Sequence, residues 1–393
     1  MRILHVVPTY LPAVRYGGPI WSVHALCRAL VRRGHEVAVA TTNMDGPNDL
    51  DVPIDRPVDM DGVSVSYFPS RHLRRLNWSP DLKTHLRDVM PRADFLHVHS
   101  VFLWPTFVAA RLAARNGVPW CVAPRGALVP ELVRRRSRWI KTAWLSLIER
   151  QTLEDASFIH ATSELEANDI SRFGFRLPPV RVVANGVDMP NESIRDYVGN
   201  ELPAQILKGP MLLFLGRISW KKGLDRLIPA LKQIPNIQLV VAGNDDEDLT
   251  PRLQILAHEA GVASRVWFIG PVYGEAKVAL LRASMMLVLP SYNENFGNVV
   301  LESLAYARPV AITAAVGVAT IVEAAKAGAV IPDEPVEMGL ALAKLLATPT
   351  HLDEMGRNGQ KLVASYYSWD AIAQQMETAY ADARERISAG VGQ

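Results

Sequence analysis

The sequence predicts two consecutive doubly wound α/β domains, and three observations carry that prediction. Short apolar runs alternate with helical patterns almost from end to end, which is the pattern of a mostly parallel sheet with helices on its faces. The first apolar run leads through a turn-rich stretch containing Gly17-Gly18 into a helical pattern and a second strand-like run. That order makes a βαβ unit with a glycine-bearing loop after its first strand. The patterning then fades between Asp188 and Gly199 before the alternation resumes, which sets a domain boundary.

In order, the first domain should place strands at Ile3–Val7, Glu36–Thr41, Val63–Phe68, Phe95–Val98, Trp120–Ala123, Phe158–Ala161 and Val180–Val183. Helical patterns run over Ile20–Arg33, Pro105–Asn116 and Ser163–Phe173. The first two are followed by Gly34 and Gly117, which stop a helix well. The second domain should place strands at Met211–Leu215, Gln238–Ala242, Val266–Ile269, Met285–Leu289 and Pro309–Thr313. The expected layout is therefore residues 1–188 and 189–368, with a long helical pattern from Trp369 to about Ile387 that packs back on the first domain. No short-period repeat or low-complexity tract interrupts this layout.

The 393 residues are 49% hydrophobic and 21% charged, an ordinary globular composition that excludes a disordered chain. A net charge of +2 is too small to argue for nucleic acid. The charge is uneven, however. Residues 1–175 carry 22 Lys+Arg against 17 Asp+Glu, and the remainder 20 against 23, so the halves should meet different partners. Cys27 and Cys121 belong to no CxxC or Cys/His cluster and read as structural thiols of a reducing compartment. No apolar run reaches the ~18 residues of a membrane span, and the first residues read as a buried strand rather than a signal peptide. A cytoplasmic enzyme is the expectation.

Four strings carry chemistry. In Pro290-Ser-Tyr-Asn-Glu-Asn-Phe-Gly-Asn-Val-Val-Leu-Glu302 a polar loop runs from a strand into a helix starting near Asn298. Ligands of open α/β sheets bind at such strand ends. The amides of Phe296, Gly297 and Asn298 suit a phosphate, and Gly297 lets backbone approach it. Glu294 and Glu302 could each accept paired hydrogen bonds from vicinal hydroxyls, or be a helix-start charge and a solvated helix residue. In Gly216-Arg-Ile-Ser-Trp-Lys-Lys-Gly223, Arg217 offers a planar fork and Lys222 a mobile charge for a diphosphate. Three cations in six residues repel one another unless an anion sits among them, though a solvated basic turn is the plain alternative. In Asp94-Phe-Leu-His97-Val-His99 both histidines face one side of a strand. They could hold a metal, but no third ligand lies nearby in sequence. His99 could instead face an interdomain cleft or be inert. The fourth string, Gly17-Gly18, is weak except for its place after the first strand.

Together and in this order, the Gly17-Gly18 loop, Asp94-x-x-His97-x-His99, Asn185-Gly186-Val187-Asp188, Gly216-Arg217…Lys222-Gly223 and Glu294-x7-Glu302 resemble the family-4 glycosyltransferases of the GT-B fold over nearly the whole chain. The resemblance implies two Rossmann-like domains facing across a cleft, an acceptor side in the first and a nucleotide-sugar donor side in the second. It implies that Arg217 and Lys222 neutralise the donor's diphosphate and that Glu302 binds ribose. Glu294, with the amides of Phe296 and Gly297, would hold the transferred sugar, and Asn295 and Asn298 would also bind the donor. His99 would contact that sugar from the first domain. Gly17, Gly18 and Gly216 would let backbone meet the phosphates, and Val272 in the Gly270-Pro-Val272 loop would meet the base. It further implies retention of anomeric configuration, no metal and no cofactor beyond the co-substrate, and a role in cell-surface polysaccharide or glycolipid assembly.

One departure stands out. Pro124-Arg125-Gly126 occupies a place where many relatives carry a histidine before the glycine. Arg125 could meet an anionic acceptor or the donor phosphate, or lie on the surface. Five cations fall within Arg134–Lys141 beside Trp139, Ile140, Trp144 and Leu145, and Arg71-His-Leu-Arg-Arg75 with Trp78 forms a second basic-aromatic cluster. A basic amphipathic helix can lie on an anionic membrane, so the acceptor could be a lipid-linked sugar; a solvated helix face is the alternative. Two rival functions share the fold, a nucleotide-sugar 2-epimerase and a non-catalytic sugar-nucleotide-binding protein.

Overall fold

The structure, a computed structural model, describes residues 1–13, 18–135, 138–190, 202–245 and 247–390, with backbone alone at 132, 134, 135, 138, 140, 141, 204, 208 and 387–390. Gly17 lies outside the described residues. So do the side chains of the basic run Arg134–Lys141, except that of Trp139. The chain divides into two compact units, one of Met1–Gly186 with Trp369–Gln393 and one of Val187–Ser368.

The first unit holds an eight-stranded sheet in the order Val180–Val182, Phe158–Ala161, Trp120–Ala123, Phe95–His99, Arg2–Thr9, Glu36–Thr42, Val63–Phe68, Val58–Met60. All neighbours are parallel except the last pair. Strand alternation sorts the side chains onto two faces. Ile3, Val7, Val37, Val39 and Phe95 bury against the helices Gly18–Arg32 and Trp369–Gly390. Leu4, Val6, Leu96 and Val98 bury with Leu82 and Leu86 of the helix Pro80–Val89 and with Val108 and Leu112 of the helix Trp104–Asn116. Gly117 closes that last helix at φ 65°, where a side chain would be strained.

The C-terminal helix is held chiefly by burial. Ile372, Ala373, Met376 and Tyr380 are all at 2% exposure or less. Full burial of each large apolar side chain contributes about 1.5–3 kcal/mol. Tyr380 adds a polar tie, its hydroxyl lying 2.7 Å from His97 Nδ1.

The second unit holds a six-stranded parallel sheet in the order Val266–Gly270, Gln238–Ala242, Met211–Leu215, Met286–Leu289, Val310–Ile312, Gly328–Val330. Its central strands are buried on both faces, which is why they read as unbroken apolar runs. The final strand was not among those expected from sequence. It is three residues long, and a Cβ on Gly328 would come within 2.1 Å of the Val310 carbonyl oxygen. Close strand approach here requires glycine, which hides the strand from a search for β-branched residues.

Replacing Tyr380 by Phe should lower stability by about 1–3 kcal/mol, because His97 Nδ1 loses its donor inside the core. Differential scanning calorimetry of the full chain would read this as a lower melting temperature. An unchanged melting temperature would contradict the tie.

Candidate active site

In both sheets the strand order reverses once, and the chemistry-bearing strings end there. In the second unit the reversal falls between Met211–Leu215 and Met286–Leu289. Connections leave these neighbouring strands in opposite directions, so their loops diverge and leave a crevice at the C-terminal ends. Those loops are Gly216–Gly223 and Pro290–Gly297.

The two loops are fixed to each other. Tyr292 N donates to the Lys221 carbonyl at 2.7 Å, and Arg226 Nη2 donates to the Pro290 carbonyl at 2.8 Å. The Arg226 guanidinium lies 3.7 Å from the Tyr292 ring centroid, while the Tyr292 hydroxyl donates to Asp225 at 3.0 Å. Gly223 sits at φ 70°, and a Cβ there would fall 1.9 Å from the Pro290 carbonyl oxygen. Only glycine allows the loops to close this tightly. Glu294 is held by its own backbone, its N–H donating to the Ala315 carbonyl at 3.0 Å and its carbonyl accepting from Gly317 N at 2.9 Å.

Within this frame the Lys222 ammonium and the Glu294 carboxylate form an ion pair. Their side chains are 17% and 20% exposed, so the pair is shielded yet reachable. The crowded cations of the Gly216–Gly223 string thus have an anion beside them, and it comes from the other loop. Arg217 is exposed at the mouth of the same strand. Gly216, at φ 141°, packs beside Lys222.

Gly297 stands before the helix Asn298–Ala305 at φ 97°. The Phe296 side chain is 3% exposed, so its ring is core and only its backbone can serve a ligand. Asn295 and Asn298 are half-buried beside it. One turn on, Glu302 pairs with Lys277 at 2.7 Å. Lys277 belongs to the helix Gly274–Ala283, directly after the Gly270–Tyr273 loop with its half-buried Val272, so this pair joins that helix to the one carrying Glu302. The sequence had not singled out Lys277.

In the first unit the reversal lies between Phe95–His99 and Arg2–Thr9. His99 ends its strand, and the next residues, Ser100 and Phe102, take left-handed φ of 70° and 66°. Non-glycine residues held there mark a strained turn that the surroundings must over-determine. Buried Glu149 does so, accepting from Phe102 N and from Trp144 Nε1, each at 2.9 Å. Burial raises its carboxyl pKa. Gly18 begins the helix Gly18–Arg32 and is exposed.

His99 is not alone. It is 1% exposed, with its ring stacked 4.0 Å from His97. His5 pairs in register with His97 on the adjoining strand, and His160 closes the group. The hydrogen bonds fix the protons of neutral rings. The Val183 carbonyl only accepts, so His160 Nε2 donates to it at 2.8 Å. His97 Nε2 then donates to His160 Nδ1 at 3.2 Å, and Tyr380 donates to His97 Nδ1. Arg125 only donates, and its Nη2 lies 3.4 Å from His99 Nδ1. His99 Nε2 therefore donates to His5 Nδ1 at 2.9 Å, leaving His5 Nε2 buried without a partner. Burial lowers the pKa of every member. His5 and His160 fall from the ordinary 6.5 to about 3, and His97 and His99 go down as well, for His99 with the Arg125 charge as second cause.

His5 also supplies the third ligand that the sequence lacked. Nitrogens of His5, His97 and His99 lie within 4.8 Å of one another. Both ring nitrogens of His97 are already bonded, however, and a guanidinium faces His99. A dication would have to break the relay and sit against a cation. The grouping is a neutral hydrogen-bond relay.

Arg125 is not a surface arginine. It is half-buried in a turn at φ 55°, and Nη1 donates to Asn185 Oδ1 at 2.9 Å. Glu166, 2% exposed, secures the turn by accepting from Gly126 N at 2.6 Å and from Thr162 N at 2.7 Å. The function of Asn185 within its motif, and any role for Glu166, were invisible in the sequence.

Two α/β units, each with polar loops at one strand-order reversal, give each half of the chain its own candidate ligand site, unlike a lone Rossmann binding module. Family models agree in both halves. Residues 17–186 match the glycosyl transferase 4-like domain, and residues 203–362 match the glycosyl transferases group 1. The chain belongs to the family-4 glycosyltransferases of the GT-B fold. It is 27% identical to an uncharacterised glycosyltransferase of Methanocaldococcus jannaschii over 98% of this chain and 100% of that one. It is also 27% identical to the D-inositol 3-phosphate glycosyltransferase of Xylanimonas cellulosilytica, over 98% and 97% respectively. Among solved structures, sucrose-phosphate synthase from Thermosynechococcus elongatus superposes with a TM-score of 0.75 at 22% identity, covering 97% of this chain and 99% of that one. HepE of Anabaena in complex with UDP and glucose gives 0.75 at 19%, covering 97% and 100%.

The relay carries a pH dependence with a definite sign. These histidines take up a proton less readily folded than unfolded, so the unfolded chain gains protons first as pH falls below about 6.5. Their contribution is fully present above pH 6.5 and is lost toward about 3. Each costs about 1.4 kcal/mol per pH unit in that window. Urea unfolding between pH 7 and 4.5 should show the loss, and a His160→Asn variant should show a shallower slope. Equal slopes for the two proteins would contradict the neutral relay.

Proposed function

We propose that the protein is a retaining, metal-independent glycosyltransferase. It moves a hexose-type sugar from a nucleotide-diphosphate sugar to a hydroxyl of a glycan, glycolipid or small-molecule acceptor. The observation that carries this reading is the Lys222–Glu294 ion pair at the crevice of the second unit. A diphosphate entering beside Arg217 and Lys222 takes over as the anion that Lys222 faces. Glu294 is then free to accept from sugar hydroxyls, while the helix start at Gly297 and Asn298 receives a phosphate oxygen. Glu302, with Lys277 and the Val272 loop, forms the ribose and base side. HepE, with UDP-glucose in one of its complexes, supports a donor of this class.

Breaking the bond between sugar and diphosphate develops negative charge on the leaving phosphate and positive charge on the sugar. Arg217, Lys222 and the helix start stabilise the first, by electrostatics already in place before reaction. The cations do here what a metal would do elsewhere. The sequence offers no obvious enzyme nucleophile for this step. A same-face displacement follows, in which the departing phosphate oxygen accepts the acceptor's proton and the anomeric configuration is kept. His99, with Gly17 and Gly18, is assigned to the donor from the first unit.

The working place is the cytoplasm, at the inner face of the membrane, in assembly of cell-surface polysaccharide or glycolipid. Among the described residues no helix is long and apolar enough to cross a membrane. Trp139 and Leu147, on either side of the basic run's end, are 77% and 78% exposed. That supports peripheral contact of Arg134–Lys141 with anionic lipid.

Replacing either Lys222 or Glu294 with Ala should reduce transfer by a hundredfold or more while the melting temperature stays near that of the parent, and activity should survive EDTA. Nuclear magnetic resonance of the product should show the donor's anomeric configuration. Undiminished turnover in both variants would sink the site assignment. Conversion of donor in the absence of acceptor would favour the epimerase instead.

A further inference from the structure

The strand-order reversal in the first unit leaves a cavity of about 650 Å3 at the open ends of Arg2–Thr9 and Phe95–His99. Much of its wall is apolar, including Val7, Ile20, Val101 and Leu103. Its charged groups are all cationic: Arg74, Arg75 and Arg125 line it, and no described residue of the wall is acidic.

These three arginines are not equivalent. Arg74 is committed to the fold. It pairs with Asp49 at 2.6 Å and donates to the carbonyls of Ser70 and Asn48 at 3.1 and 2.8 Å, pinning the hairpin of Met44–Asp45 and Asn48–Asp49. Arg75 is exposed and has neither ion pair nor hydrogen bond to a described residue. Arg125 is half-buried, and both of its hydrogen-bond partners, Asn185 Oδ1 and His99 Nδ1, are neutral. Its Nε is buried with no partner at all. Glu166 directs its oxygens to Gly126 N and to Thr162 rather than to the guanidinium.

A guanidinium is costly to desolvate without a counter-charge, and this one is held rigidly in an acid-free wall. Its planar fork suits an oxyanion with several acceptor oxygens. Arg75, unengaged at the same cavity, can add a second cation. We propose that this cavity binds an acceptor that carries a phosphate group, with Arg125 and Arg75 recognising the phosphate and the apolar wall receiving the rest of the molecule. The word acceptor rests on the transferase reading above; the phosphate site stands on the cavity itself.

Phosphate could also be the donor's, and competition separates the two sources. The probe is inorganic phosphate added to the full-length protein at matched ionic strength, read as a shift in melting temperature. The proposal expects phosphate to stabilise the protein equally well when UDP is saturating. It expects the apparent phosphate affinity to fall roughly tenfold or more in Arg75→Gln and in Arg125→Gln. Arg75→Gln alters an exposed side chain that the fold does not use, so it tests the site even if Arg125→Gln folds poorly. Loss of the phosphate effect at saturating UDP would overturn the proposal and assign the anion to the donor. Parent-like phosphate binding in Arg75→Gln would overturn it too. A chain that binds phosphate in an Arg75-dependent way but responds to none of UDP, GDP, ADP and TDP would keep this site and reject the donor reading.

Discussion

The Lys222–Glu294 ion pair is the contact on which the rest of the account turns. It exists because a parallel sheet reverses its strand order once, between Met211–Leu215 and Met286–Leu289. That reversal sets the loops Gly216–Gly223 and Pro290–Gly297 side by side. Backbone hydrogen bonds from Tyr292 to Lys221 and from Glu294 to Ala315 keep them there. A single ion pair between two loops is not the reason the unit folds, since its sheet is held by buried apolar strands. On the function proposed above its value is chemical: it holds a cation and an anion, already oriented, for a charged ligand to exchange partners with. Electrostatic catalysis needs such preorganisation, because groups already aligned need no rearrangement when charge develops.

The first unit meets a different demand with different means. Four of its buried histidines, His5, His97, His99 and His160, form one cluster, and burial there disfavours their charged form. Tyr380 from the C-terminal helix donates into one chain of them, and Arg125 donates into the other. His99 is thereby fixed in rotation and tautomer, with both of its ring nitrogens engaged. The C-terminal helix is consequently more than a brace, since it supplies the hydroxyl that orients His97 against His99. The strained turn after His99 and buried Glu149 complete the shell that holds this strand end.

What the sequence showed and what it hid divide on physical lines. Strands and helices were legible because they leave local periodicity, and Gly223 and Gly297 because tight turns demand glycine. Glu294 and Lys222 were legible as candidates, but their pairing was not, since 72 residues separate them. His5 was missed for the same reason. Its position beside His97 is a fact of strand register, and nothing local in Met1-Arg-Ile-Leu-His5 announces it. Arg125 stood open between surface and site until its bonds to Asn185 and His99 placed it in the turn. Glu302 read as a ribose contact or a solvated helix residue, and its pairing with Lys277 from a separate helix was not legible.

The most direct test of the central claim is hydrogen–deuterium exchange of the full chain with and without a nucleoside diphosphate. The account predicts slower exchange on binding in two segments together, Gly216–Gly223 and Phe296–Asn298, because both loops contribute groups to one diphosphate. Protection confined to other segments, with these two unchanged while the nucleotide is bound, would contradict it.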